Sequence, residues 1–300
     1  MTTVAIRKVR GKAHATLDII DACLEILTEI QPASVRAVCY QLFVRKLIPD
    51  MKKNTTNKVG RLLVGAREDG EIPWGWIVDE TRRVEQAATW DNLESLIGAA
   101  VDQYRRDNWN DQPRRVEVWS EKGTIRGTIA DVLSRYADGF RVMHGYGSAT
   151  ALHDAAVRST EHDTPLHVIY VGDWDPSGLH MSEVDIPGRI DRYLGVIEFE
   201  RVAILETDTD LPFFPAADKA GDSRYQWFVE NHGHRCWELD AMSPPMLRER
   251  VDGAIRNLID VDAWNHSLVI EQAELESMST VLDTFKSILR QAPKYPGGAA

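Results

Sequence analysis

The chain has 300 residues, of which 43% are hydrophobic and 27% charged, and it carries a net charge of −11. At roughly 150 residues per domain this suggests about two domains with a substantial core, in a composition that excludes disordered and fibrous classes. No apolar run reaches the ~18–20 residues that cross a bilayer, and the opening MTTVAIRKVRGK lacks a signal-peptide apolar core. Three scattered cysteines, Cys23, Cys39 and Cys236, make neither a disulfide framework nor a zinc cluster, which points to a reducing cytoplasm with no membrane partner. A net −11 argues at first against nucleic acid. Divided along the chain, however, residues 1–67 hold 12 basic against 5 acidic side chains, a balance of +7, and the remainder carries −18.

In chain order, helical periodicity runs over 13–30 with Leu17, Ile20, Leu24 and Leu27 on one side, ending before Pro32. Ser34 reads as the N-cap of a second helix over 35–47, with Val35, Val38, Leu42 and Phe43 apolar. Asn54 or Thr55 opens a third helix through Val59, Leu62, Leu63 and Ala66, stopped at Gly70. EIPWGWIVDET (71–81) is short, aromatic and β-like. Three helices and a small β-wing describe a winged helix-turn-helix module. Lys52, Lys53, Lys58, Arg61 and Arg67 fall on or beside its third helix as candidate DNA-binding residues.

Residues 82–112 read as a linking helical segment, giving a first domain of 1–112. From 113 to 300 the texture is alternating: strand 115–119, helix 124–138, strand 140–144, helix 148–160, strand 166–171, helix 176–194, strand 200–205, strand 235–239, then helices over 243–259 and 262–291. The expected fold class is therefore α/β, with a mostly parallel, Rossmann-like sheet covered on both faces and a C-terminal helical extension.

In open α/β sheets ligands gather where strands end and helices begin. WSEKG (119–123) puts Glu121 just past the first strand, and VGDWDPSG (171–178) puts Asp173 and Asp175 just past the third. Clustered carboxylates call for a divalent cation, and hard oxygen donors select Mg²⁺ or Mn²⁺ over zinc. Such an ion orients and neutralises phosphate, which points to phosphodiester chemistry. The layout resembles the Toprim domain of topoisomerases, bacterial primases, recombination proteins and a class of nucleases, over roughly 113–210. The match includes Glu121–Lys122 and the turn HGYGS (144–148) after the second strand. The resemblance implies a metal site of Glu121, Asp173 and Asp175 with Lys122 beside it; Trp174 between the aspartates departs from the usual pattern.

The second helix reads SVRAVCYQLF (34–43), with Arg36 and Tyr40 at i and i+4 on one face. Tyr40 is either a half-buried core aromatic or a nucleophile whose phenol, aided by a neighbouring base or Arg36, attacks DNA. V-R-x-x-x-Y in a winged helix followed by a Toprim domain resembles the A subunit of type IIB topoisomerases (topoisomerase VI) and the meiotic double-strand-break transesterase. In that family the last tyrosine of V-R-[DE]-x-[FY]-Y is the nucleophile. Here Ala37 and Cys39 replace the acid and the aromatic. The resemblance implies catalytic roles for Tyr40, Arg36, Glu121 and Lys122, double-stranded DNA as substrate, and a homodimer joining one subunit's tyrosine to its partner's metal site. It also implies a separate ATPase subunit for the full topoisomerase reaction, since no G-x-x-x-x-G-K-[ST] loop occurs in the chain. The expected location is cytoplasmic, on the nucleoid in a prokaryote or for a phage protein.

Two alternatives stand beside the transesterase: a Toprim nuclease that uses water and keeps Tyr40 structural, and a non-catalytic DNA-binding Toprim protein. Other signals weigh less. HGHRC (232–236) lacks the paired spacing of zinc sites and reads as a loop. GYGSAT (145–150) reads as a tight strand-to-helix turn. Glu238 and Asp240 in WELDAM read first as ordinary strand-end acids, with a role near a second metal as the alternative.

Overall fold

The computed structural model describes residues 14–77, 88–136, 139–143 and 149–291. Helix α1 (His14–Ile30) buries Ile20, Cys23, Ile26, Leu27 and Ile30, an apolar stripe at helical spacing. Ser34 caps α2 (Val35–Val44) by accepting the Ala37 N–H at 3.1 Å. The helix stops three residues before the expected 47. Lys46 takes a left-handed φ of +58°, and the N–H groups of Lys46 and Leu47 close back on the carbonyls of Phe43 and Leu42, a Schellman ending made without glycine. Helix α3 (Lys53–Glu68) starts one residue before Asn54, because Asp50 accepts from the Lys52 N–H and the Thr55 hydroxyl and turns the chain into the helix. It ends in a second Schellman closure with Gly70 at φ +79°. These helices share one core, completed by Ile72 and Ile77.

The expected β-wing differs over its described part. Trp74–Trp76 form a 3₁₀ turn, and Ile77 makes a single parallel bridge to Ala33. Arg67 holds that turn, its guanidinium 4.2 Å from the Trp74 ring and bonded to the Trp74 carbonyl. Residues 78–81 of the wing and 82–87 of the linking segment lie outside the described residues. The rest of the linker holds α4 (Leu93–Gln103), opened by a reciprocal Asn92–Ser95 capping box.

The remaining residues form an α/β layer with a four-stranded, all-parallel sheet in the order β2-β1-β3-β4. Its strands are β1 (Arg115–Ser120), β2 (Gly139–Val142), β3 (Leu166–Val171) and β4 (Ile197–Ala203). Alternation along β1 and β3 separates two cores. Val116, Val118, Ile169 and Val171 face one side, and Trp119, Leu166, Val168 and Tyr170 the other. The helix expected over 124–138 is two, α5 (Thr124–Thr128) and α6 (Ala130–Tyr136), and α7 (Ala149–Thr160) follows β2. Residues 144–148, the HGYGS turn, are outside the described residues. The helix expected over 176–194 is α8 (Pro176–His180), a π-helical turn (Met181–Asp185) and α9 (Ile186–Arg192). Pro187 has no N–H to offer the preceding turn, so the hydrogen-bond ladder changes register there.

The expected strand 235–239 is not part of the sheet. Only Arg235–Cys236 (β6) is extended, pairing antiparallel with Phe214–Pro215 (β5) beside α10 (Tyr225–His232). Trp237 then bridges back to Trp174, and a 3₁₀ turn covers Leu239–Ala241. Helix α11 (Pro244–Leu258) covers one sheet face, while α12 (Val261–Gln291) runs beside α4, joined by Tyr104 and Arg106 to Glu274. Among the described residues no helix is long and apolar enough to cross a membrane.

The Lys46 closure is testable. Replacing this left-handed residue with glycine, K46G, should raise stability by about 0.5–1 kcal/mol, the steric gain net of the added unfolded-state entropy. The expected reading is a higher urea midpoint at an unchanged slope; an unchanged or lower midpoint would contradict the assignment of strain to this position.

Candidate functional site

The strand order places the site. The β1→β2 and β3→β4 connections leave in opposite directions from the β1/β3 pair, so the crevice beyond the ends of those two strands is the sheet's switch point. Ser120 and Val171 are in register there, which sets Glu121 and Lys122 beside Gly172 and Asp173. The Asp173 N–H donates to Glu121. Burial, followed by the Asp173 charge, pushes the Glu121 carboxyl up to about 7. Burial also raises Asp173, against the opposing pull of Lys122 and of the Leu239 N–H, which donates to Asp173 Oδ1 at 2.6 Å.

Lys122 is the central cation. Its Nζ lies 2.8 Å from Asp173 Oδ1 and 2.9 Å from Asp240 Oδ2. Burial works against the ammonium, but the two aspartates outweigh it and hold its pKa above the ordinary lysine range. Asp175 is committed to the start of α8, accepting the Gly178 N–H at 2.8 Å, and its other oxygen meets Lys219 at 3.1 Å. A side chain at 178 is impossible, since a Cβ would stand 2.4 Å from the Asp173 carbonyl oxygen. Among the described residues no three His, Cys, Asp or Glu side chains are placed as a metal cage. The three expected ligands are gathered at one end of the sheet, with Lys122 and Lys219 on two of them.

Helix α2 docks on this end. Ser34, besides capping α2, donates to Asp240 Oδ1 at 3.0 Å. Arg36 donates through Nε to Glu238 Oε2 at 2.7 Å and pairs with it again through Nη2, with Asp240 Oδ2 3.7 Å away. The Tyr40 hydroxyl donates to the same Glu238 oxygen at 3.0 Å. Tyr40 is only 6% exposed, and burial together with Glu238 raises its pKa.

Between α2, α3 and the sheet end lies a cleft of about 630 Å³, lined by Arg36, Arg67, Lys122, Asp173, Glu238 and Asp240 among others. It adjoins a groove of about 640 Å³ along α3 that includes Arg61, and both share Val35, Arg36 and Val64. Lys52, Lys53, Lys58 and Arg61 are exposed, whereas Arg67 is half-buried on Trp74. Lys58 borders a separate, apolar depression with Ile19 and Leu47. The basic residues therefore do not share one face.

Glu238 and Asp240, read from sequence as ordinary strand-end acids, are central here. Their i, i+2 spacing after an apolar run repeats that of Asp173 and Asp175, and this was the available signal. The Trp174–Trp237 bridge, with reciprocal N–H···O=C bonds of 2.9 Å, brings the two acidic turns together. Arg201 and Lys219 carried no sequence signal. The Arg201 guanidinium reaches the carbonyls of Gly172, Asp173 and Gly178 and the Ser182 hydroxyl, holding the Asp173–Asp175 turn from below. In 232–236, His232 pairs with Glu183, His234 is exposed and Cys236 lies in the core.

No protein-family model matches the chain, and no curated protein matches it significantly.

Arg201 gives a stability test of the turn. R201M keeps the length but removes a buried guanidinium that donates to the carbonyls of Gly172, Asp173 and Gly178, of which Asp173 is left with no other donor among the described residues, and it should cost about 2–4 kcal/mol by urea denaturation. A loss below 1 kcal/mol would show that the turn is held by other bonds.

Proposed function

We propose that the chain is a DNA-cleaving protein whose N-terminal helices act as a winged helix-turn-helix module and whose parallel sheet is a Toprim domain. In this reading Tyr40 attacks the DNA backbone in a topoisomerase-like transesterification. The observation that carries the reading is the run of hydrogen bonds and ion pairs from Tyr40 through Glu238, Arg36 and Asp240 to Lys122 and Asp173, of which all but Tyr40 line a cleft that opens beside the basic helix α3. It joins a phenol, two cations and a carboxylate cluster, the parts a phosphodiester exchange needs.

The donors suit Mg²⁺ or Mn²⁺. They are all oxygen, and Glu121 is lifted to about 7 by burial and the charge of Asp173. Glu121, Asp173, Asp175, Glu238 and Asp240 face Lys122, Arg36 and Lys219, so the formal surplus is two negative charges, the amount one divalent ion neutralises. Glu121, Asp173 and Asp175 would hold it, with Asp173 exchanging Lys122 for the ion. Bound there, a divalent cation supplies charge neutralisation at phosphate. Arg36 and Lys122 would hold the phosphate oxygens, and Arg61 and Arg67 the flanking backbone. A homodimer, and a separate ATPase subunit for strand passage, follow from the same family resemblance; the resemblance pairs each tyrosine with the partner's metal site, whereas here Tyr40 is linked through Glu238 and Arg36 to the carboxylates of its own chain, and the reading takes the site within one chain.

One observation favours a second reading, hydrolysis by water with Tyr40 structural: the tyrosine ring is almost wholly covered. Supercoiled DNA with Mg²⁺ or Mn²⁺ separates the two. Wild type should leave protein covalently attached to DNA ends, and Y40F and D173A should abolish the attachment. Cleavage that survives in Y40F and dies in D173A would replace the transesterase with a nuclease. Binding without cleavage under either metal would overturn both.

The cleft geometry also predicts an asymmetry in DNA binding. R61A should weaken affinity and reduce the salt slope, d log K/d log[salt], by about one unit, while K58A, facing the other depression, should change the slope by much less. Equal slopes for the two variants would place DNA elsewhere.

A further inference from the structure

We propose that Glu238 is a catalytic residue that takes the proton of Tyr40 as its phenol oxygen bonds to phosphorus; the inference rests on the transesterase reading above. Three observations carry it. First, the hydroxyl of Tyr40 already donates to Glu238 Oε2 at 3.0 Å, within the range at which a base must stand from the proton it removes. Second, the other carboxylates of the cleft are committed elsewhere. Asp240 accepts from Ser34 and Lys122, and Asp173 from Lys122 and the Leu239 N–H. Third, Glu238 is held in place. The reciprocal Trp174–Trp237 bonds anchor the residue before it, and the Leu239–Ala241 turn follows directly.

Arg36 gives the arrangement a way to respond to DNA. Its guanidinium grips the oxygen that receives the Tyr40 hydroxyl, yet its side chain is 42% exposed and lines the cleft. A phosphate entering the cleft competes with Glu238 for that guanidinium. As Arg36 turns to phosphate, Glu238 Oε2 is freed of its ionic partner while still holding the Tyr40 hydroxyl.

The step balances without an outside reagent. The Tyr40 O–H bond breaks and its proton passes to Glu238 Oε2. The phenol oxygen bonds to phosphorus, and the bond from phosphorus to the departing deoxyribose oxygen breaks. That oxygen leaves with the electron pair and takes a proton from solvent. One phosphodiester is exchanged for another, and resealing returns the Glu238 proton to Tyr40.

The test measures the rate of covalent adduct formation by the full chain on DNA, trapped by denaturation, alongside DNA affinity and thermal melting. E238Q should slow adduct formation at least ~10²-fold, with DNA affinity equal to or above wild type and a cooperative melting transition kept, and E238D should retain part of the rate. Replacing Tyr40 with a ring-fluorinated tyrosine, a more acidic phenol, should restore much of the E238Q loss and change the wild-type rate far less. E238Q reacting as fast as wild type or faster would overturn the proposal and leave Glu238 as a cover over the tyrosine. A loss that the acidic phenol does not restore would overturn it in favour of a purely structural role. Absence of adduct from wild type itself, with cleavage intact in Y40F, would instead remove the transesterase reading and this inference with it.

Discussion

The ammonium of Lys122 between Asp173 and Asp240 is the contact on which the arrangement of the chain depends. It joins the end of β1 to the end of β3 and to the turn at 239–241, three segments far apart in sequence. Asp240 passes the connection on to Ser34 and so to the start of α2. A cation shared by two largely buried carboxylates is costly to assemble and more costly to break, because removing the lysine takes the shared counter-charge from both. The N-terminal helices are thereby seated on the site by charge and hydrogen bonds, at their most polar point, while their own apolar core stays separate from the two cores of the sheet.

Such a seat differs from an apolar interface in what it is made of. Ser34, Arg36 and Tyr40 meet the sheet end through polar donors set against the carboxylates of Glu238 and Asp240. The apolar bridge Trp174–Trp237 has the opposite character. It is buried and backbone-paired, and it fixes the two acidic turns relative to each other whatever α2 does.

Much of this was legible in the sequence, and the exceptions have physical causes. The strands at 115 and 166 and the helices after them follow from local periodicity, and the acids at their ends mark the crevice because the parallel topology sends those ends to one edge. Glu238 and Asp240 were misjudged because their position is decided by the tryptophan bridge, a long-range pairing of single residues that leaves no periodic trace. Arg201 is invisible for a similar reason, since its partners are backbone carbonyls, which no side-chain pattern announces. The end of α2 at Val44 turns on Lys46 adopting a conformation usually reserved for glycine, so no stop signal exists to read. The tyrosine and arginine of α2 were visible as a pair one turn apart, but their common partner was not.

The charge of the chain takes on a different meaning once these contacts are known. A surplus of −11 would repel DNA if it were spread evenly, but the acids nearest the cleft are not free to do so. Asp173 and Asp240 share Lys122, Glu238 is matched by Arg36, and Asp175 by Lys219. Arg36 and Arg67 line the cleft and Arg61 the groove beside it, together with the ion pairs of Lys122 and Glu238. Much of the remaining acidity lies away from the cleft, for example on α12 with its Glu271, Glu276 and Asp283. Arg36, Arg61 and Arg67 stand beside carboxylates that are mostly paired, so the field at the cleft is less negative than the net charge of the chain.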